Sequence, residues 1–472
     1  MLYIHIAKLL KNGDWKGVYE KGFYSLYPFA ILGFQKIFTN WETAGRMASV
    51  FFGSFTILPL FFLFRKMFDL KITVVACIFF VLSPRIAQYS SDVLREPLFW
   101  MLSVSALWSG WKAISEKRWT YAVVSSFFTG LASFTRMEGV GLILILCLWS
   151  VWFLLYREHN VKRFLMFLVL FFVSFPLIFT IPLYSLKLRT GKWEMGHVVS
   201  KIPMMITNNS KAHDQSADNE QAATTWSGFG LVNTYTFFAW EAFYKFFRSF
   251  HVVFILLLFF GIFRRRAVGY SSNEVPALIW LSVFLIIALL YAYKASYIST
   301  RHGLLMGIPA LLWASIGFFE LNARLSAFFQ NRHWYKYLPH LTTYLLVIIC
   351  LTVLPKTLLS SVHDKIEMKK AGIYLKNTGY AREKFVVEPR IKRLIFYADS
   401  PYIEIPVPSD YRVFNEFLKE QDAVYLIVDE RSIDGSVKGF REHAGWLNLE
   451  KVGVPEFEKY KDYSFVLYRI KR

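Results

Sequence analysis

Cysteine is nearly absent from this chain of 472 residues: Cys77, Cys147 and Cys350 are its three, each inside an apolar run and none at metal-ligating spacing. Neither a disulfide framework nor a zinc site is expected from them, only packing. Acidic residues are scarce too, 34 against 54 Lys and Arg. The segment after residue 355 has neither a cysteine nor a glycine-rich phosphate loop. There is no internal repeat either, so an inverted-repeat transporter gains little support.

What the chain does have is apolar and aromatic surface. Hydrophobic residues make up 55% of it, with 47 Phe, 26 Tyr and 15 Trp, more than a soluble domain of this size needs. Runs of membrane-spanning length fall at approximately 42–65, 70–86, 96–114, 119–135, 138–156, 163–185, 248–263, 275–293, 303–319 and 338–355. Lys and Arg cluster in every second gap: Arg65, Lys66 and Lys71, then Lys112, Lys117 and Arg118, then Arg157, Lys162 and Arg163, then Arg264, Arg265 and Arg266, then Arg324, Arg332 and Lys336. The positive-inside rule makes these gaps cytoplasmic, and the alternate gaps and both termini exoplasmic. The expected fold class is an α-helical polytopic membrane protein of about ten transmembrane helices. Its formal charge of +20 is then topological bias and membrane-surface charge, with no nucleic-acid partner implied.

Three regions flank or interrupt the spans. Residues 1–41 form an exoplasmic first-loop region with interfacial helices, and so charged a stretch with no preceding span is either a true N-out tail or, the reading favoured here, the sign of a span upstream of Met1. Residues 187–247 form a long exoplasmic loop with a polar middle, Asn208–Asn219. It ends in an amphipathic helix, with Phe237, Trp240, Tyr244 and Phe247 on one face and Glu241, Lys245 and Arg248 on the other. That helix either anchors in the interface or floors a lipid-substrate groove. Residues 356–472 are expected to form a small exoplasmic α/β domain: helices at 364–377 and 408–420, strands at 384–388, 423–429 and 463–470. The Asp429-Glu430 pair there stands at a strand end, where a catalytic role is the alternative to the commoner solvated terminus.

Charged residues at membrane-facing positions cost about 2.5–3.5 kcal/mol each on insertion scales. Four exoplasmic segments carry them: the opening YIHIAKLLKNGDW with YPF and AGRMAS, then YSSDVLREPLF, FTRMEG and STRHGLLMGIP. Any single one of these arginines or acids could simply snorkel to headgroups. Together they form a ring of acids and guanidinium groups at one membrane face. Such a ring suits transfer from an anionic, membrane-embedded sugar donor: guanidinium groups hold the phosphate leaving group, and a carboxylate takes a proton from the acceptor.

The order of these segments, with SP closing the second span, resembles the GT-C class of polyprenyl-phosphate-sugar-dependent glycosyltransferases over about residues 1–320. The similar branch is the bacterial one of protein O-mannosyltransferases and the lipid A aminoarabinose transferase. The resemblance implies a plasma (inner) membrane glycosyltransferase with its site on the exoplasmic side, inverting transfer of a hexose or pentose, and a lipid-phosphate-linked sugar as donor. The acceptor is a lipid, glycan or protein. The family's principal carboxylate precedes the tyrosine matching Tyr3, so it is expected upstream of Met1. The Glu-Lys pair of the aminoarabinose transferase is absent around Ser25 and Leu26, which argues against that sugar; no metal ligands are assigned, and a divalent metal stays open. The residues assigned are Asp92, Glu96 and His302 as catalytic or orienting groups. Arg95 and Arg301, with Arg46 and Arg136 behind them, are assigned to donor phosphate. The rival readings are a lipid-linked sugar transporter or flippase, and an inactive polyprenyl-phosphate-binding relative.

Overall fold

The computed structural model describes residues 2–20, 25–190, 234–268, 272–295, 300–330, 340–358, 363–406, 409–443, 445, 447–461 and 463–471. The polar middle of the 187–247 loop lies outside them. The chain divides into two compact units, Leu2–Leu358 and Leu359–Arg472.

The first unit is helical. Its described helices are α1 (Leu2–Lys11), α2 (Trp15–Glu20), α3 (Tyr27–Gln35), α4 (Trp41–Phe55), α5 (Ile57–Met67), α6 (Leu70–Leu82), α7 (Pro84–Ser91), α8 (Glu96–Glu116), α9 (Thr120–Thr135), α10 (Gly141–Ser150), α11 (Val161–Thr190), α12 (Thr234–Arg248), α13 (Val252–Val268), α14 (Val275–Ala295), α15 (Thr300–Gln330) and α16 (Leu341–Leu358). Local chemistry sets several starts. Asn40 accepts hydrogen bonds from the amides of Glu42 and Thr43 and so caps α4, and Asp69 caps α6 through Ile72 N–H. Pro84 and Pro97 stand in the first turns of α7 and α8, where a missing N–H costs nothing.

Every apolar run read from the sequence contains a helix. Among the described residues, four helices or stacked helix pairs are long and apolar enough to cross a membrane, and six are if each sharply bent pair counts as one span. The bends lie between α6 and α7 (55°) and between the end of α12 and α13 (111°). The second bend shifts the expected span at 248–263: Arg248 ends α12, and the apolar helix begins at Val252.

Close helix contacts depend on glycine. A Cβ at Gly261 on α13 would lie 1.9 Å from Trp313 O, and one at Gly317 on α15 would lie 1.8 Å from Leu257 O, so the two backbones touch there. Hydrogen bonds identify one end of the unit. Tyr27 OH donates to Gly45 O (2.7 Å), Ser49 Oγ to Leu94 O (3.0 Å), Ser25 Oγ to Thr135 O (3.4 Å) and Ser249 Oγ to Thr300 O (3.1 Å). That end therefore gathers the starts of α4, α8, α13 and α15 with the end of α9. At the opposite end Lys66 pairs with Glu116 (2.6 Å), and the Arg163 guanidinium lies over the Trp119 ring.

The second unit contains helices α17 (His363–Asn377), α18 (Lys392–Ala398), α19 (Tyr411–Glu420) and α20 (Phe440–His443), and strands β1 (Phe385–Val387), β2 (Tyr402–Glu404), β3 (Ser409–Asp410), β4 (Tyr425–Asp429), β5 (Val437–Lys438), β6 (Leu449–Val452) and β7 (Phe465–Ile470). Five strands form a sheet in the order β2-β1-β4-β7-β6, parallel through β4 and antiparallel beyond it. Strand alternation supplies a core on each face: Phe385, Val387, Ile427 and Leu467 on one side, and Val386, Leu426, Val428 and Val466 on the other. The helix expected from 408 begins at Tyr411, because Asp410 caps it and Ser409–Asp410 pairs with β5. Asp429 is buried and accepts the Ser464 amide, so it is no solvated strand end.

Candidate functional site

Glu96 opens α8, where a carboxylate is favoured by the helix dipole and by the unsatisfied N–H groups of the first turn. It is 1% exposed. Its partner comes from the tight link between α9 and α10. Arg136 there is extended (φ −150°, ψ 141°) and is followed by a 3₁₀ turn, Met137–Val140. That turn needs Gly139, because a Cβ would lie 2.5 Å from Ser133 N.

The result is a chain of alternating charge. Arg136 Nη1 donates to Glu96 Oε1 (2.7 Å), while Nη2 and Nε grip the two oxygens of Glu138 (2.5 and 3.2 Å). Burial opposes the Arg136 charge, but Glu138 and then Glu96 outweigh it, and its pKa is raised further above the ordinary arginine value. Arg301, near the start of α15, approaches the same Glu96 Oε1 at 3.7 Å and lies 5.9 Å from the Tyr89 ring centre. Tyr89 OH shares a 2.7 Å hydrogen bond with Thr300 Oγ1, which ties the end of α7 to the first residue of α15. Arg95 Nη1 donates to Thr135 O (3.2 Å). Tyr3 packs its ring edge-on to Tyr27 at 5.2 Å. Its phenol is pushed up by burial, within the fields of Arg95, Glu96, Arg136 and Arg301. Glu96 Oε2 is buried without a hydrogen-bond partner among the described residues. Beside this cluster lies a small cavity of about 20 Å³, walled by Phe99, Trp100, Phe284, Ile287 and Leu305, with Arg136, Glu138 and Arg301 also lining it.

Of the residues assigned from sequence, Glu96, Arg136 and Arg301 are in contact, and Arg95 adjoins them through Thr135 O, one residue from Arg136. Asp92 stands half-buried in the turn after α7, four residues before Glu96. Arg46 pairs along its own helix with Glu42 at 2.7 Å. His302 belongs to α15, and its side chain lies outside the described residues. Arg136 directs three of its hydrogen bonds at two carboxylates and so braces them. Glu138, Tyr3 and Tyr89 were not assigned, although FTRMEG, the opening and YSSDVLREPLF contain them. The signal for Glu138 was its spacing of two from an arginine beside a glycine. Among the described residues no three His, Cys, Asp or Glu side chains converge into a set that could hold a metal ion.

Residues 25–183 match the family model described as dolichyl-phosphate-mannose-protein mannosyltransferase. No curated protein matches the chain significantly. Among solved structures, ArnT from Cupriavidus metallidurans bound to undecaprenyl phosphate is similar at a TM-score of 0.56 and 11% identity, over 99% of this chain and 92% of that one. Its apo form gives 0.54 and 13% over the same shares. The Archaeoglobus fulgidus oligosaccharyltransferase in complex with Zn and sulfate gives 0.51 and 14%, over 87% of this chain. This chain spans 60% of the length of that archaeal protein. The chain thus shares the fold of these solved structures, a helical unit with helices long and apolar enough to cross a membrane and a small α/β region.

Proposed function

We propose that this protein is a membrane glycosyltransferase that moves a sugar from a polyprenyl-phosphate donor to a lipid, glycan or protein acceptor on the exoplasmic side of the plasma membrane. The observation that carries this reading is Glu96: one oxygen is shared between buried Arg136 and half-exposed Arg301, which both line a small cavity, and the other is buried without a partner among the described residues. A buried acceptor atom without a donor is costly, which favours a ligand hydroxyl at that position. The apolar wall suits isoprene units, and Arg301 suits the phosphate they carry. The family match over residues 25–183 and the fold shared with ArnT support the same donor class.

In an inverting transfer the acceptor oxygen attacks the anomeric carbon as the bond from that carbon to phosphate oxygen breaks. The acceptor proton passes to a carboxylate, and polyprenyl phosphate leaves. Arg301, exposed enough to meet ligand and held against Tyr89, stabilises the charge growing on that phosphate. Glu96 Oε2 orients a hydroxyl of donor or acceptor, and Asp92 supplies a further carboxylate from the preceding turn. Arg136 brings Glu96 and Glu138 together. The flippase reading is disfavoured because the acids sit at helix ends.

The test is transfer from a radiolabelled lipid-phosphate sugar by membranes carrying wild type, Arg301→Ala or Asp92→Ala. Each variant is expected to insert normally and to lose transfer by 100-fold or more (order of magnitude, ~2.7 kcal/mol). Full activity in both would remove these assignments.

A further inference from the structure

The helix α12 has an outward face that the catalytic reading leaves unused. Trp240 is 71% exposed, Tyr244 49% and Phe243 44%, and Arg248 is exposed one turn on, with its guanidinium over the Tyr244 ring at 5.9 Å. These positions, i, i+3, i+4 and i+8, lie on one side of the helix. The other side is fixed in place. Ala242 is fully buried, and Ser249, just past the helix end, donates both to Lys245 O and to Thr300 O. Gly303 allows this contact, since a Cβ there would meet Ser249 Oγ at 2.8 Å and Lys245 O and Phe246 Cα at 3.3 Å. Gly307 faces the Phe250 ring in the same way, with 2.6 Å to a Cβ.

The direction of α12 is the second observation. Its last turns, Ala242–Arg248, make an angle of 111° with α13, the apolar helix that follows. If α13 crosses the bilayer, α12 runs close to the membrane plane. A helix in that plane with Trp, Phe and Tyr outward and Arg beside them has the make-up of an interfacial helix. Its rings reach the acyl boundary, and its cation stands at the level of lipid phosphates.

We infer that α12 docks on the phospholipid surface through Trp240, Phe243 and Tyr244, with Arg248 at the phosphate level, and that it thereby sets the depth of the site. Thr300 O is 3.1 Å from Ser249 Oγ, and Arg301 is the next residue. The guanidinium that meets Glu96 is therefore held at the height where a polyprenyl carrier presents its phosphate. This second part rests on the glycosyltransferase reading, whereas the docking itself does not.

Trp240 can report its own surroundings. With the full chain in phosphatidylcholine nanodiscs, its emission is the difference between wild type and Trp240→Phe. Brominated phosphatidylcholine is expected to quench that difference, more strongly with bromine near the carbonyl end of the acyl chain than near its terminus, and aqueous iodide is expected to leave it nearly unchanged. Quenching by iodide and none by bromolipid would overturn the docking. The depth-setting role is read by kinetics. Trp240→Ser combined with Tyr244→Ser should raise the KM for lipid donor about 5–10-fold with kcat within about twofold, the order expected for loss of about 1 kcal/mol of uniform binding, while Trp240→Phe with Tyr244→Phe keeps the wild-type KM. An unchanged KM in the double serine variant would overturn that role. Wild-type protein that transfers no sugar would remove the enzymatic reading and leave the quenching result to decide the docking.

Discussion

Glu388 in the second unit and Glu96, one of three buried glutamates in the helical unit, are satisfied in opposite ways. In the second unit Glu388 is fully buried at the end of β1 and is completely served. Its Oε1 accepts from Ser432 Oγ (2.8 Å) and Ser436 Oγ (3.2 Å), and its Oε2 accepts from Asp429 N–H (3.1 Å). In the helical unit Glu96 has two arginines against one oxygen and, among the described residues, no hydrogen-bond partner on the other. Both are acids at the end of a regular element, and composition does not tell them apart. Glu388 closes a loop onto a sheet, and its neighbours are there to satisfy it. Glu96 leaves one buried oxygen without a hydrogen-bond partner among the described residues, which a purely structural carboxylate has no reason to do.

The largest effect that would break this contrast is on Arg136. It is the cation that neutralises Glu96 and Glu138 inside the helical unit, so Arg136→Ala leaves two carboxylates without it. Loss of one member of a buried pair costs about 3–5 kcal/mol. The expected outcome is a large fall in thermal stability or failure to accumulate in the membrane. Arg301→Ala removes an arginine that is 43% exposed and 3.7 Å from Glu96, and its stability should change by about 1 kcal/mol or less. Thermal unfolding of both variants in the same detergent measures this directly. Equal destabilisation would mean that Arg301 is as much a brace as Arg136, and the division of roles would be lost.

Next in size is Glu388→Ala, which strands the Asp429 amide and two serine hydroxyls in the interior. One stranded buried partner costs about 1–3 kcal/mol, so about 3 kcal/mol is expected here. Hydrogen exchange should show β1, β4 and the 432–436 turn losing protection, while the helices around Glu96 keep theirs. Sugar transfer by the folded fraction should be unchanged. Lost transfer in a variant whose helical unit stays protected would give the second cluster a catalytic part, against its complete satisfaction.

How much of this was legible beforehand follows from the kind of signal each element carries. The apolar runs and the basic gaps between them marked α4–α6, α8–α11 and α13–α16, because spanning length and charge asymmetry are properties of composition along the chain. The break in direction at Ser249–His251 was legible in outline, as an interfacial helix followed by a span from 248, but the contact of Ser249 with Gly303 across more than fifty residues was not. In the second unit β4 stood out as AVYLIVD, a strand buried on both faces. Two short edge strands, β2 and β6, with three and four residues and no fully buried position, carry no pattern to read. At the site, TRMEG and DVLREP were recognisable as charged segments at helix ends. That Arg136 would spend its donors on Glu96 and Glu138, leaving Arg301 as the exposed cation, depends on how α8, α9 and α15 come together. Spacing within one segment does not contain that information.

The smallest effect tests the finest feature, the hold on Arg301. Tyr89 does two things to it: the ring lies against the guanidinium, and the hydroxyl bonds Thr300 Oγ1 at 2.7 Å. Tyr89→Phe keeps the ring and deletes the hydrogen bond, worth about 1 kcal/mol. If that bond serves to place Arg301, transfer should fall about fivefold in kcat with little change in unfolding temperature, because ring packing is kept. Tyr89→Leu, which also removes the aromatic face, should fall further. If Tyr89→Phe instead lowers stability with kcat unchanged, Tyr89 belongs with Glu388 as a structural partner, and the exposed arginine is positioned by Glu96 alone.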